Sequence, residues 1–405
     1  LGYFLTNDIP LSIYSSKSFI DKKMVFISGP RQCGKTTLSK SLFNKTDFRY
    51  YCWDIDEDRK SLLRNQLDAS KKVWILDEIH KNRRWRNFLK GLYDHYGHTT
   101  VEDRKKILVT GSARLELYAR GGDSLQGRYF DLRLHPLTLG ELYQKQKVRW
   151  KEIPFLSFQA HEKTKAGLID LMNLSGFPEP FFSGQESESA RWRLAYSKLL
   201  LREEFTSLEI LQDIDRVELL FDQLPECVGS ILSVNSLRKD LEVAHQTVKK
   251  WIHVFEKLYG VFLIKPFGPA KIKAVKKEPK LYFWDWSRVQ DMGPRFENLV
   301  AGLLMRLIHW LEDIEGVNAE LRYFRNVNKQ EVDFVVLVNK KPWLAIEVKL
   351  QEQGLDSNLA YFLNRVPTAY AFQIHLNGTK DYVVKNNLKT PVRIMPAYYF
   401  LFNLY

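Results

Sequence analysis

Apolar positions along the chain fall into short unbroken runs and longer helical stripes. Runs of strand type occur at Lys23–Ser28 (KMVFIS), Val73–Leu76 (VWIL) and Lys106–Thr110 (KILVT). Each runs into polar sequence, and Thr37 to Leu42 after the first reads as a helix. Unbroken strands alternating with helices predict an α/β fold with a buried parallel sheet. From Leu137 to about Leu211 the pattern is mostly helical. Ala190 to Ile210 predicts an amphipathic helix, and Gly176-Phe-Pro178-Glu179 makes a break before it. From about Val217 the chain reads helix, helix, helix, hairpin, with Val261–Ile264 and Leu281–Trp284 as the strands. The last third predicts a long amphipathic helix (Phe296–Leu311), strands at Leu321–Arg325, Glu331–Val338 and Trp343–Leu350, a helix about Leu355–Asn364, and a strand Ala369–Ile374. The expected segments are 1–136, 137–215, 216–290 and 291–405, within the range for 405 residues.

The first strand runs directly into Gly29, Pro30, Arg31, Gln32, Cys33, Gly34, Lys35, Thr36 and Thr37. This is G-x-x-x-x-G-K-T between a strand and a helix. The glycines let the backbone curl so that its N–H groups face phosphates, and the helix N-terminus adds a positive dipole. In this pattern Lys35 reaches the β/γ-phosphates of ATP and Thr36 offers a hydroxyl to Mg²⁺. The second strand ends in Asp77-Glu78. Acids at the C-terminal end of a parallel strand lie where open α/β sheets bind ligands. Asp77 is the expected Mg²⁺ partner with Thr36, and Glu78 the group that polarises the attacking water. The third strand ends in Thr110-Gly-Ser112, and Thr110 or Ser112 is expected to orient that water. Arg128, with Arg114 and Arg120 as rivals, is the candidate to project into a neighbouring subunit's nucleotide.

These segments, GPRQCGKTT, WILDEIHK, LVTGSARLEL, DSLQGR and LHPLTLGEL, resemble in that order the AAA-type ATPases of bacteria and archaea, and SGFPEP, FENLVA, EVDFVV and AIEVK extend the resemblance over most of the chain. The resemblance implies an ATP hydrolase whose sites are completed by a neighbouring subunit, with a homo-oligomeric hexamer ring favoured. It also implies that 137–215 is a helical lid in which Pro178 touches the adenine; a plain helix-breaking turn is the alternative.

Residues 216–290 resemble a winged helix, with Thr247–Leu258 in the recognition-helix place. Residues 265–280, the wing, hold six Lys against one Glu. Lys271, Lys273, Lys276, Lys277 and Lys280 are the expected contacts to DNA phosphates. The order of elements after 291 resembles a restriction-endonuclease-like core. Glu347 and Lys349, two apart on a strand, share a face, and Asp333 on the adjacent strand can reach it. Asp333 and Glu347 would hold Mg²⁺, Lys349 would orient the attacking water, Glu297 would be the outer acid, and Gln373 is an auxiliary. An ion-paired cluster without catalysis is the alternative.

The balance of 61 Lys+Arg against 48 Asp+Glu, net +13, favours a polyanionic partner, nucleic acid before membrane. Three dispersed cysteines fit a reducing cytoplasm and no zinc cluster. The longest apolar stretch, Leu299–Leu311, is broken by Arg306 and His309, so no membrane span is expected. No signal-peptide pattern opens the chain, and a start at Leu1 fits a few missing residues. Two functions follow: an ATPase acting on duplex or branched DNA, or an ATP-regulated switch or scaffold.

Overall fold

The computed structural model describes residues 17–97, 104–111, 125–143, 150–151, 162–205, 213–268, 278–385 and 387–404. The chain divides into two compact units, Leu1–His135 and Pro136–Tyr405.

The first unit contains α1 (Lys17–Ile20), β1 (Met24–Ser28), α2 (Lys35–Ser41), β2 (Phe48–Cys52), α3 (Asp56–Leu63), β3 (Val73–Asp77), α4 (Trp85–Tyr96), β4 (Lys106–Thr110) and β5 (Tyr129–Arg133). The sheet order is β2-β3-β4-β1-β5 and every pairing is parallel. β1 and β3 are buried at every position and β4 at all but the first. Only strands apolar on both faces tolerate this, which is why these three stand out in the sequence. Phe26, Trp74, Leu76, Leu89 and Val109 form the core under them. Ile27 and Asp77 both pair with Thr110, so β1, β3 and β4 finish level and present one C-terminal edge.

The second unit opens with helices: α5 (Leu139–Tyr143), α6 (Glu162–Leu174), α7 (Pro178–Ser183), α8 (Glu186–Lys198), α9 (Ile214–Gln223), α10 (Val234–Asp240) and α11 (His245–Lys257). α8 gives way at Leu199 to a wider π-helical stretch, Leu199–Phe205, and residues 206–210 of the expected helix lie outside the described residues. The break at Gly176 has a packing cause. A Cβ there would stand 2.4 Å from the Trp286 ring. Ser175 also donates to Asp285 Oδ1 at 2.8 Å, tying the turn to the same segment.

β6 (Val261–Pro266), β7 (Lys280–Phe283), α12 (Met292–Asp313), β8 (Ala319–Arg325), β9 (Glu331–Val338), β10 (Lys341–Gln351), α13 (Ser357–Arg365), β11 (Tyr370–Asn377), β12 (Tyr382–Val384), β13 (Val392–Pro396) and α14 (Ala397–Phe402) complete the unit. One eight-stranded sheet runs β12-β13-β11-β10-β9-β8-β6-β7. The β6–β7 hairpin therefore joins the same sheet as the last third, through parallel pairs Lys265–Arg322 and Pro266–Tyr323. β8, β9 and β10 are antiparallel neighbours, whereas β10–β11 and β11–β13 are parallel. Arg306, the charge that interrupts the apolar run of α12, is buried and forms a two-pronged pair with Glu141 at 2.5 and 2.7 Å. Among the described residues no helix is long and apolar enough to cross a membrane.

Candidate functional site

In the first unit the loop after β1 is curled by positive φ at Gly29 (141°), Gln32 (58°) and Gly34 (98°). Gly29 has no substitute, because a Cβ there would lie 2.1 Å from the Leu134 carbonyl oxygen. Pro30 and Cys33 are buried in the loop, Arg31 is half-buried, and Gln32 and Thr37 are exposed. Lys35 opens α2 and is buried, its ammonium donating to the carbonyls of Gly29 at 3.0 Å and Pro30 at 2.5 Å. Cys33 Sγ lies 3.9 Å from that ammonium. Burial pushes the Cys33 thiol up although Lys35 opposes it, so this cysteine is protonated and packs as an apolar group.

Asp77 is the focus of the sheet edge. Its Oδ2 accepts from Thr36 Oγ1 at 2.8 Å and from the Tyr50 hydroxyl at 2.6 Å, and its Oδ1 accepts from Thr110 Oγ1 at 2.6 Å. Burial first, and then the Asp77 carboxylate, push the Tyr50 phenol up, so it remains a donor. Thr36 and Asp77 thus stand side by side, an oxygen donor set that suits a hard divalent ion beside phosphates. Tyr50, on the edge strand β2, escaped the sequence reading because FRYYC mixes half-buried, exposed and buried positions with no clean period.

Glu78 follows with φ 56°, a left-handed turn that swings its side chain out of line with Asp77. Its Oε2 lies 3.4 Å from Lys81 Nζ and 3.6 Å from His80 Nε2, and Lys81 also pairs with Asp54 at 2.5 Å. One expectation changes here. Thr110 is fully buried with its hydroxyl committed to Asp77, so it braces the acid and does not face a water above the sheet. Arg128 pairs with Asp94 at 2.8 Å. Ser112, Arg114 and Arg120 lie outside the described residues. Pro178 belongs to the second unit, at the first turn of α7.

In the second unit β9 and β10 pair Phe334 with Ile346, which sets Asp333 beside Glu347. The Asp333 N–H donates to Glu347 Oε2 at 3.4 Å and Val348 N–H donates to Asp333 Oδ2 at 2.9 Å. Lys349 pairs with Glu347 and with Asp356, each at 2.8 Å. Gln373, opposite Glu347 on β11, accepts from the Asp356 N–H at 2.8 Å and donates to the Gly354 carbonyl at 2.9 Å, so it fixes the loop that carries Asp356. Burial pushes the Glu347 carboxyl up to about 7, with Lys349 opposing. Burial, then Glu347 and Glu297, push Asp333 well above the carboxylate range.

Lys280 corrects the sequence reading. It is 1% exposed and turns inward at the start of β7, pairing with Glu297 at 3.1 Å and Glu331 at 2.5 Å. It therefore presents no charge to DNA; every position of β7 is buried. Lys271, Lys273, Lys276 and Lys277 lie outside the described residues. Glu297 also accepts from the Tyr282 hydroxyl at 2.7 Å, and Glu331 from Arg325 at 2.6 Å. Glu331 and Asp356 were missed, although Glu331 lies two residues before Asp333 on the same strand face and Asp356 is the N-cap of α13.

Residues 21–143 match the AAA domain family, 165–292 match a domain of unknown function (DUF8612), and 292–395 match another (DUF4143). With its parallel sheet and curled loop, the first unit is a P-loop ATPase-like α/β domain. The uncharacterized protein Rv2008c of Mycobacterium tuberculosis is 22% identical over 335 residues, covering 80% of this chain and 70% of its own. The uncharacterized protein MJ1637 of Methanocaldococcus jannaschii is 23% identical over 299 residues, covering 65% and 60%. Among solved structures, the Aeropyrum pernix Orc1 protein in complex with DNA overlaps at a TM-score of 0.34 with 11% identity, covering 74% of this chain and 95% of that one. A Thermotoga maritima RuvB variant overlaps at 0.29 with 17% identity, covering 62% and 86%. Overlaps this loose carry no argument about function.

Proposed function

We propose that the protein is a Mg²⁺-dependent ATPase that couples ATP hydrolysis to binding or remodelling of DNA and works as a homo-oligomer, a hexameric ring. The observation that carries the ATPase is the contact of Thr36 with Asp77 at 2.8 Å, next to Lys35 in a glycine-curled loop. The amides of residues 29–36 and the Lys35 ammonium bind the phosphates. Thr36 and Asp77 would hold Mg²⁺, which when bound offsets phosphate charge. Glu78 orients a water and takes its proton, and Pro178 contacts the adenine. Arg128, with Arg114 and Arg120 as rivals, is the residue proposed to reach a neighbour's nucleotide. The test is nucleotide binding and turnover. Lys35→Ala is expected to lose ATP affinity, whereas Glu78→Gln binds ATP and turns it over at least about 10²-fold more slowly. Retained affinity in the first, or brisk turnover in the second, removes that residue from its role.

The DNA-facing part of the proposal assigns 137–215 to a helical lid, 216–290 to a winged helix with α10 and α11 as its helix pair, and 291–405 to a restriction-endonuclease-like core. Net charge of +13 and Lys271, Lys273, Lys276 and Lys277 support a polyanion as partner. A second reading, an ATP-regulated switch or scaffold whose nuclease-like core is inactive, is favoured by one observation: both lysines at the acidic centre are already paired with its carboxylates. The two separate on one measurement. A DNA-acting ATPase is accelerated by duplex or junction DNA, and a scaffold is not.

A further inference from the structure

We infer that the Lys280 ammonium is the resident cation of the acidic centre in the second unit, so that this centre takes no divalent metal and cuts no phosphodiester bond. The inference rests on the proposed reading of 291–405 as a nuclease-like core. Such a core implies a Mg²⁺ held by Asp333 and Glu347 with Glu297 nearby. The donor set does not fit that ion. A hard divalent cation needs about six oxygen ligands, with carboxylate oxygens free to turn toward it. Here Glu297 Oε1 is shared by Lys280 and the Tyr282 hydroxyl. Glu347 spends one oxygen on Lys349 and the other on the Asp333 N–H. Asp333 Oδ2 is engaged by the Val348 N–H. Among the described residues no group of three or more His, Cys, Asp or Glu is placed to hold a metal ion.

Lys280 is also held so that it cannot step aside. It opens β7, is paired with Ile264 of β6, and forms a further bridge with Ile231. Its side chain is 1% exposed, with two of its three protons directed at Glu297 and Glu331. Burial alone would lower its pKa, but Glu297, Asp333 and Glu331 more than compensate and raise it, so the ammonium stays charged. Removing either partner of a buried pair leaves an uncompensated charge, which makes the lysine as necessary to the fold as the acids it meets.

Mn²⁺ is the probe. It is titrated calorimetrically into the nucleotide-free full chain carrying Asp77→Asn, which removes the metal ligand proposed in the first unit. The same titration is run with Lys280→Met and with Asp333→Asn added. Expected is no saturable Mn²⁺ uptake below about 1 mM with Lys280 in place, and one new site in the Lys280→Met protein. A site that is present with Lys280 intact and vanishes with Asp333→Asn overturns the inference. So does a folded Lys280→Met protein that gains no site. Should Lys280→Met fail to fold, the comparison with and without Asp333→Asn still decides. Metal-dependent nicking of DNA by the unaltered chain, abolished in Lys349→Ala, would also overturn it while supporting the nuclease reading. The titration involves neither ATP nor DNA, so failure of the ATPase proposal leaves its outcome unchanged.

Discussion

Thr110→Val isolates the brace under Asp77. The substitution preserves the branched shape and deletes one hydroxyl. Thr110 is fully buried, and its 2.6 Å bond supplies the hydrogen bond at Asp77 Oδ1. Hydrogen bonds to a charged group contribute about 1.5–3 kcal/mol, and a buried carboxylate oxygen left without a donor forfeits that amount. Taking about 2 kcal/mol, and a unit of this size shifting roughly 3–5 °C per kcal/mol, the first unit should melt about 6–10 °C lower. Tyr50→Phe is the internal control. It removes a donor from Oδ2, but Thr36 still donates there, so its effect should be about half as large. Calorimetry reads the shift, and hydrogen exchange of peptides from β3 and β4 assigns the transition to the first unit. If Thr110→Val melts within about 2 °C of the unaltered protein, or Tyr50→Phe is the more damaging, the bond is not bracing Asp77 and the assignment of Thr110 fails.

Other expectations follow from the second unit. Replacing Lys271, Lys273, Lys276 and Lys277 by Ala should flatten the salt dependence of duplex binding by about 0.9 log unit per log unit of salt for each phosphate no longer neutralised, measured by fluorescence anisotropy; an unchanged slope excludes these lysines from the interface. Adding Lys280→Met should leave that slope where it was, because the charge it removes faces Glu297 and Glu331. Glu347 is raised from its ordinary 4.5 to about 7, so its protonated form favours the folded state. Its contribution is therefore complete below pH 4.5 and is lost as pH rises to about 7. Urea unfolding of the second unit should register that decline over this window, and Glu347→Gln should flatten it; an identical pH profile in the variant assigns the dependence elsewhere.

Legibility followed the physics of each segment. β1, β3 and β4 were readable because strands buried on both faces leave continuous apolar runs, and the phosphate loop because glycine, lysine and threonine sit at short fixed spacing. The edge strands β2 and β5 carry mixed burial and left no such trace, which is why Tyr50 went unseen. In the last third the order of helix and strands was visible from residue 296 to 374, but the terminal strands β12 and β13 were not. β12 is three residues with exposed tyrosine and valine, too short for a period to register. Lys280 shows the limit of counting charge along a chain. Six lysines adjoin in sequence, yet the one that begins a fully buried strand follows the strand inward, and an acidic pocket distant in sequence decides its role.

Pairing between β6 and β8, together with the Lys280 contacts, bears on how the second unit can work. Were the hairpin a separate module on a linker, binding at its loop would move it freely against the core. Instead its strands extend the core's own sheet, and Lys280 ties the first position of β7 to Glu297 of α12 and Glu331 of β9. Displacing β7 would separate a buried ammonium from its carboxylates, which costs about 3–5 kcal/mol when a buried pair is broken. Contacts of ordinary strength to phosphates at the loop cannot supply that much unless several act together. Under the DNA reading proposed above, a polyanion would therefore meet the hairpin and core as one body.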